Sequence, residues 1–102
     1  MKEIDLIVKA CEDKIAKDVV SIKLQEGMAI ADYFVIATGN TSSQTQAIAD
    51  EVEKVAEENG INIVGVEGYR EGSWILVDLG DIIVHVFTPE AREYYNLERL
   101  WK

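Results

Sequence analysis

Apolar residues recur along this chain with two different periods, and the switches between them mark the elements. Near the start, Ile4, Ile7, Val8, Cys11 and Ile15 fall at i, i+3, i+4, i+7 and i+11, one stripe of a helix from about Lys2 to Lys14. From Asp18 to Leu24 the period drops to two. Val20, Ile22 and Leu24 alternate with Val19, Ser21 and Lys23, which reads as a half-buried strand. The link from Gln25 to Asp32 leads into YFVIA, a continuous apolar run of the kind that forms a central strand covered on both faces. After Thr38-Gly39-Asn40 the helical period returns, from about Ser42 to Glu58, with Ile48, Val52, Val55 and Ala56 as its buried stripe. Thr41 followed by Gln44 matches a capping box, and Asn59-Gly60 a left-handed stop. Ile61 to Glu67 reads as a further short strand, weakened by Gly65, and Gly68 to Gly72 as a turn.

The stretch WILVDLGDIIVHVF, Trp74 to Phe87, holds two apolar runs either side of Gly80-Asp81, with Gly at the first central position of a two-residue hairpin turn. That turn dictates antiparallel pairing: Leu79 opposite Ile82, Val77 opposite Val84, Ile75 opposite Val86. All six share one wholly aliphatic face, which belongs in the core. The other face sets Trp74 opposite Phe87, Leu76 opposite His85 and Asp78 opposite Ile83. It is too apolar for a solvated face and too polar for a buried one. A partner-binding surface has this character; the plainer alternative is a helix that partly covers it, with the polar groups at the margin.

Thr88-Pro89 looks like a helix N-cap with proline at the first helical position, followed by Glu90 near the positive end of the dipole. The terminal segment concentrates Tyr94, Tyr95, Leu97, Leu100 and Trp101, and Trp101 is expected to dock on the body of the protein. The element order predicts one α/β (α+β) domain over residues 1–102, with a mixed five-stranded sheet flanked by helices. The crossover from the Tyr33 strand through the long helix to the Ile61 strand is expected to be parallel and right-handed, with the hairpin adding antiparallel edges.

Composition narrows the function. The hydrophobic fraction of 48% is that of a soluble globule. No apolar run is long enough to span a membrane, and the acidic start lacks the character of a signal or transit peptide. A single cysteine forms no internal disulfide and points to a reducing compartment, the cytoplasm. Cys11 lies in the apolar stripe and reads as a core residue rather than a reactive thiol. Nineteen acids against ten bases give a net charge of −9, which disfavours contact with nucleic-acid phosphates and favours steering towards a basic protein. Solubility alone also explains such acidity.

Few residues suggest catalysis. His85, Asp78 and Ser42, Ser43 or Ser73 form no recognisable nucleophile arrangement. Asp32, Asp78 and Asp81 would be the carboxylates of a metal-dependent nucleotidyl- or phosphotransferase, the alternative function, but no D-x-D pair accompanies them. With one His and one Cys, no soft-ligand metal site is expected, and no cofactor motif is present. The glycine turn before the long helix resembles an anion site, but Thr41, Ser42 and Ser43 can cap those donors themselves.

The segments DYFVIATGNTSSQTQAIADEV, EGYREGSWILVDLGDIIVHVF and REYYNLERLW resemble the ribosomal silencing factor family, RsfS, also called Iojap. The Trp-x-x-x-Asp strand, Gly-Asp turn, His-x-Phe strand and closing Tyr-x-Leu-x-x-Leu-Trp occur together at matching spacing. The resemblance implies a nucleotidyltransferase-like fold without catalytic carboxylates and no enzymatic activity. It also implies binding to large-subunit ribosomal protein number fourteen (uL14), which blocks joining of the small subunit when nutrients are short. Trp74, Leu76, Asp78 and His85 fall on the strands that resemble the family's ribosome-facing sheet. Trp74 and Leu76 would be apolar anchors, and Asp78, with Asp81 at the turn, would meet basic residues. Asp81 also reads as a plain turn residue, and His85 as a packed, hydrogen-bonded one. Arg92 and Tyr95 match the terminal motif, with a structural role in docking the last helix. An apolar face left open also invites a homodimer when the partner is absent.

Overall fold

The computed structural model describes residues 2–25 and 30–101. In chain order the elements are α1 (Lys2–Asp13), β1 (Lys17–Lys23), β2 (Tyr33–Thr38), α2 (Ser42–Glu58), β3 (Gly65–Glu67), β4 (Trp74–Asp78), β5 (Ile82–Phe87), α3 (Pro89–Tyr95) and α4 (Leu97–Trp101). The strands form one mixed five-stranded sheet in the order β1-β2-β5-β4-β3. The expected α+β architecture is therefore present.

The hairpin pairs in the expected register, from Trp74 opposite Phe87 to Asp78 opposite Ile83. At the turn, Gly80 takes the left-handed φ of 86° that glycine adopts without steric cost. The Leu79 N–H donates to the Ile82 carbonyl at 2.9 Å. The hairpin's place in the sheet differs from expectation. It does not add edges. Every residue of β5 is buried, and a strand covered on both faces is most stable when both of its edges are hydrogen-bonded too. β5 pairs parallel with β2, Tyr33 to Thr38 against Ile82 to Phe87, and antiparallel with β4. The crossover through α2 accordingly does not deliver β3 beside β2. β3 runs in the same direction as β2 but lies at the far edge, with β5 and β4 between them. It is also shorter than the expected strand from Ile61: residues 61–63 lead out of the helix, and the chain joins the sheet where the Val64 N–H donates to the Asp78 carbonyl at 2.8 Å.

Alternation along the strands produces two apolar layers. Val35, Ala37, Ile75, Val77, Ile82, Val84 and Val86 face α1 and α2, meeting Ile4, Ile7, Cys11, Ile48 and Val52 in a closed aliphatic core. Burial pushes the Cys11 thiol up to about 12, as expected of a core cysteine. On the opposite face, Ile22, Phe34, Ile36, Ile83 and Phe87 form a second cluster against which Trp74, Leu76, Ala91 and Leu97 pack.

The helix ends follow the sequence with two differences. Thr41 Oγ1 accepts from the Gln44 N–H at 3.1 Å, while the Gln44 carboxamide accepts from the Asn40 N–H at 2.8 Å instead of closing the box on Thr41. These bonds occupy two of the donors, the N–H groups of Asn40 and Gln44, that an anion would have used. The other difference is Ile15. It is not part of the buried stripe: α1 stops at Asp13, and Ile15 sits beyond it with a φ of 61° and 74% of its surface exposed. Both helices finish with the same paired bonds, Ile15 N–H to Glu12 and Ala16 N–H to Cys11 for α1, Gly60 N–H to Glu57 and Ile61 N–H to Ala56 for α2.

No helix among the described residues is long and apolar enough to cross a membrane. The expected docking of Trp101 concerns a side chain outside the described residues, as does part of the link from Gln25 to Asp32.

Candidate functional site

β4 enters the sheet from a turn pinned to α2. Gln46 Nε2 donates to the Tyr69 carbonyl at 2.8 Å, and the buried Thr45 hydroxyl to the Gly72 carbonyl. Gly68 has a φ of 78°, and a Cβ there would run into the carbonyl oxygen of Trp74, so only glycine lets the turn close this tightly. Where Trp74 begins is therefore set by the long helix.

From that point three residues of β4 alternate onto the face away from α1 and α2: Trp74, Leu76 and Asp78, each half-buried. Trp74 lies at the centre of an aromatic group. Its ring is 5.2 Å from Phe87 and 4.5 Å from Tyr95, centroid to centroid. Tyr95 comes from α3, so the plainer expectation of a helix over part of this face holds at the Trp74 end. Arg92 fixes that helix: its Nη1 donates to the buried Thr38 hydroxyl at 2.7 Å and its Nε to Glu98 at 2.8 Å. The structural role expected of Arg92 and Tyr95 in docking the terminal segment is what these contacts describe.

Beside Trp74 the face is open. A surface cavity of about 290 Å³ is lined by Glu67, Gly68, Trp74 and Leu76. Glu67 lies directly across from Leu76 in the β3–β4 register and is exposed. An indole and a leucine beneath an exposed carboxylate make a site suited to a long side chain with an apolar stem and a cationic tip. Glu67 and Gly68 were not singled out from the sequence. The signal was there in the β3–β4 pairing, since fixing Val66 opposite Val77 puts Glu67 on the face of Leu76.

Asp78 has one carboxylate oxygen engaged, accepting from the Gly80 N–H at 2.9 Å across the turn. Asp81 is exposed, and its carbonyl accepts from the N–H groups of Asp32 and Tyr33 at 2.8 and 3.0 Å. The structure thus brings the backbones of Asp32 and Asp81 together at the hairpin end of the sheet. It does not gather the three carboxylates: among the described residues, no three His, Cys, Asp or Glu side chains are grouped to hold a metal ion.

His85 is drawn inward. Opposite Leu76 and diagonal to Trp74, it is 4% exposed, and its Nδ1 accepts from the Trp74 Nε1–H at 3.1 Å. Burial pushes its pKa down to about 4, so the ring is neutral at physiological pH.

A family model described as ribosomal silencing factor during starvation matches residues 1–102. Among curated proteins, the chain is similar to the ribosomal silencing factor RsfS of Halalkalibacterium halodurans, 50% identical over 98 residues that cover 96% of this chain and 84% of that one. The mitochondrial assembly of ribosomal large subunit protein 1 of Mus musculus is 31% identical over 102 residues, 97% of this chain and 45% of that protein. Among solved structures, a crystal structure of a Chromobacterium violaceum protein matches with a TM-score of 0.95 at 37% identity, covering 98% of this chain and 83% of that one.

Proposed function

This chain belongs to the ribosomal silencing factor family, and from that premise we propose that it represses translation by binding uL14 on the large ribosomal subunit and sterically blocking the small subunit under nutrient limitation. The observation that carries the reading is the half-open face of β4, where Trp74 and Leu76 line a cavity beneath the Glu67 carboxylate. A half-buried tryptophan fixed by its neighbours is the kind of anchor that dominates binding energy. Glu67 and Asp78 surround it with negative charge on a chain of net charge −9, which suits a basic ribosomal protein and speeds encounter with it. Asp81, exposed at the same end as Asp78, extends that rim.

The protein then acts by occupying surface, in the cytoplasm, with no cofactor, metal or turnover. Its scaffold is nucleotidyltransferase-like in outline and uses none of that superfamily's chemistry. When no ribosome is available the same face pairs with a second copy, and subunit and homodimer compete for Trp74.

The test is co-sedimentation with purified bacterial large subunits, alongside light scattering of subunit joining. The wild type is expected to sediment with the large subunit and slow joining. Asp78→Lys sets like charge against a basic partner, so it is expected to slow association and to weaken the salt dependence of that rate. A wild-type protein that does not sediment with large subunits, or a Mg²⁺-dependent turnover of a nucleoside triphosphate lost in Asp78→Asn, overturns the reading.

A further inference from the structure

His85 lies within the proposed binding face yet below its surface, so what it contributes must pass through a neighbour. Trp Nε1 only donates. The Trp74–His85 bond therefore makes His85 Nδ1 the acceptor and leaves the proton of the neutral ring on Nε2. That Nε2 is buried, and it has no hydrogen-bond partner among the described residues. Histidine is thus an expensive choice for this position: an unpaired buried donor destabilises, and a hydrocarbon ring of similar size would avoid it. Among the described residues, the one polar use made of the imidazole is to hold the indole.

The imidazole is itself well fixed. Phe34 meets it edge-on with centroids 4.6 Å apart, and Phe87 lies parallel to it within 9° at 6.2 Å. Diagonal placement across the β4–β5 pair brings Nδ1 within reach of the indole N–H. We infer that His85 is the positioning residue for Trp74, holding the indole in one orientation beside the cavity it shares with Glu67 and Leu76. This rests on the reading of Trp74 as the ribosomal anchor. An anchor ordered before binding loses less rotamer freedom on association.

Four variants separate positioning from packing, and a fifth, Trp74→Ala, tests the anchor itself. His85→Phe keeps a ring and removes the acceptor; Trp74→Phe keeps a ring and removes the donor; the third combines them. In His85→Asn, Oδ1 takes the place of Nδ1. The readouts are affinity for purified large subunits, melting temperature, and the indole ¹H–¹⁵N signal of Trp74, which its absence in Trp74→Phe assigns. His85→Phe is expected to melt no lower than wild type, to shift the indole signal towards that of a solvated N–H, and to bind about three- to tenfold more weakly. His85→Asn is expected to restore both the signal and most of the affinity. In the Trp74→Phe background, His85→Phe should change affinity by less than about twofold, because the bond is already gone.

Equal losses in both backgrounds overturn the inference, as does a released indole signal with unchanged affinity. If Trp74→Ala binds like wild type, the anchor reading fails and takes the inference with it. If Trp74→Ala does not bind but His85→Phe binds fully, the inference alone fails.

Discussion

The sheet shows one face to α1 and α2 and the other to α3, α4 and solvent, and the two are built from alternate residues of the same strands. The first is aliphatic at its centre: Val35, Ala37, Ile75, Val77, Val84 and Val86 meet Ile48, Ala49 and Val52, each without exposed surface. The second carries a buried imidazole with an unpaired nitrogen, a half-buried indole and a half-buried carboxylate. Stability alone would favour closing both faces in the same way. On the proposed reading, the difference marks where local stability is given up for a binding surface. Swapping one residue between the faces in the hairpin changes which of the two properties it serves, although Trp74 and Ile75 are neighbours in sequence.

The largest expected effect tests the closed face. Ile75 is fully buried between β5 and the long helix. Ile75→Ala removes side-chain volume from a packed layer and should cost about 3 kcal/mol of unfolding free energy in a denaturant titration. The fraction that remains folded should still bind large subunits normally. Next to it in the chain, Trp74→Ala is expected to do the reverse: a loss of at least about 2 kcal/mol, roughly thirtyfold, in affinity. Its midpoint should shift by less than that of Ile75→Ala, because truncation opens an already half-open cluster. If Trp74→Ala unfolds the protein instead, the two faces are both core and the comparison collapses.

Much of this was legible in the sequence because it depends on period and turn chemistry. The hairpin register, the bounds of α2 and the mixed character of the Trp74–Leu76–Asp78 face all follow from a two-residue link and alternation. What was not legible depends on strand order. Nothing local to Ile82–Phe87 says that it pairs with Tyr33–Thr38 across more than forty intervening residues, so the hairpin could be derived correctly and still be set at the edge when it belongs in the middle. Ile15 shows the same limit on a smaller scale. Its spacing fits the helical stripe, but the stripe ran two residues past the end of the helix at Asp13, and the paired bonds to Glu12 and Cys11 decide its fate. Likewise His85 was readable as a contact or as a packed residue, and only the bond to Trp74 shows the second.

Acid should act on the open face before it acts on the closed one. The pKa of His85 is about 4 in the folded protein against the ordinary 6.5. A histidine whose folded value is depressed adds stability in full above its unfolded value, and that contribution falls as pH drops from about 6.5 towards 4, where the unfolded chain binds the extra proton. Between pH 7 and 5 the loss is about 2 kcal/mol. Denaturant titrations at the two pH values should show it in the wild type and not in His85→Phe, with the carboxylates contributing alike to both. An equal pH dependence in the two proteins would mean that His85 takes up its proton over the same pH range folded and unfolded.

The smallest effect probes the helix layer at the one place where it departs from its own pattern. α1 and α2 end with the same pair of backbone bonds, and the residue between them must be left-handed in both. In α2 it is Gly60, with a φ of 71°; in α1 it is Ile15, with a φ of 61° and most of its side chain in solvent. A β-branched residue in this region costs about 1–2 kcal/mol, from the approach of Cβ to the backbone. Glycine removes that cost and returns roughly half of it as added freedom of the unfolded chain. The backbone around it is held independently of the side chain, since Gln44 Nε2 donates to the carbonyls of Lys14 and Ile15 at 3.3 and 3.0 Å. Ile15→Gly should therefore raise stability by about 0.5–1 kcal/mol, a rise of a few degrees in melting temperature, and leave ribosome binding unchanged. If stability rises but binding falls, the exposed isoleucine belongs to a contact surface on the helix side as well. The division between a face that holds the fold and a face that does the work would then no longer be clean.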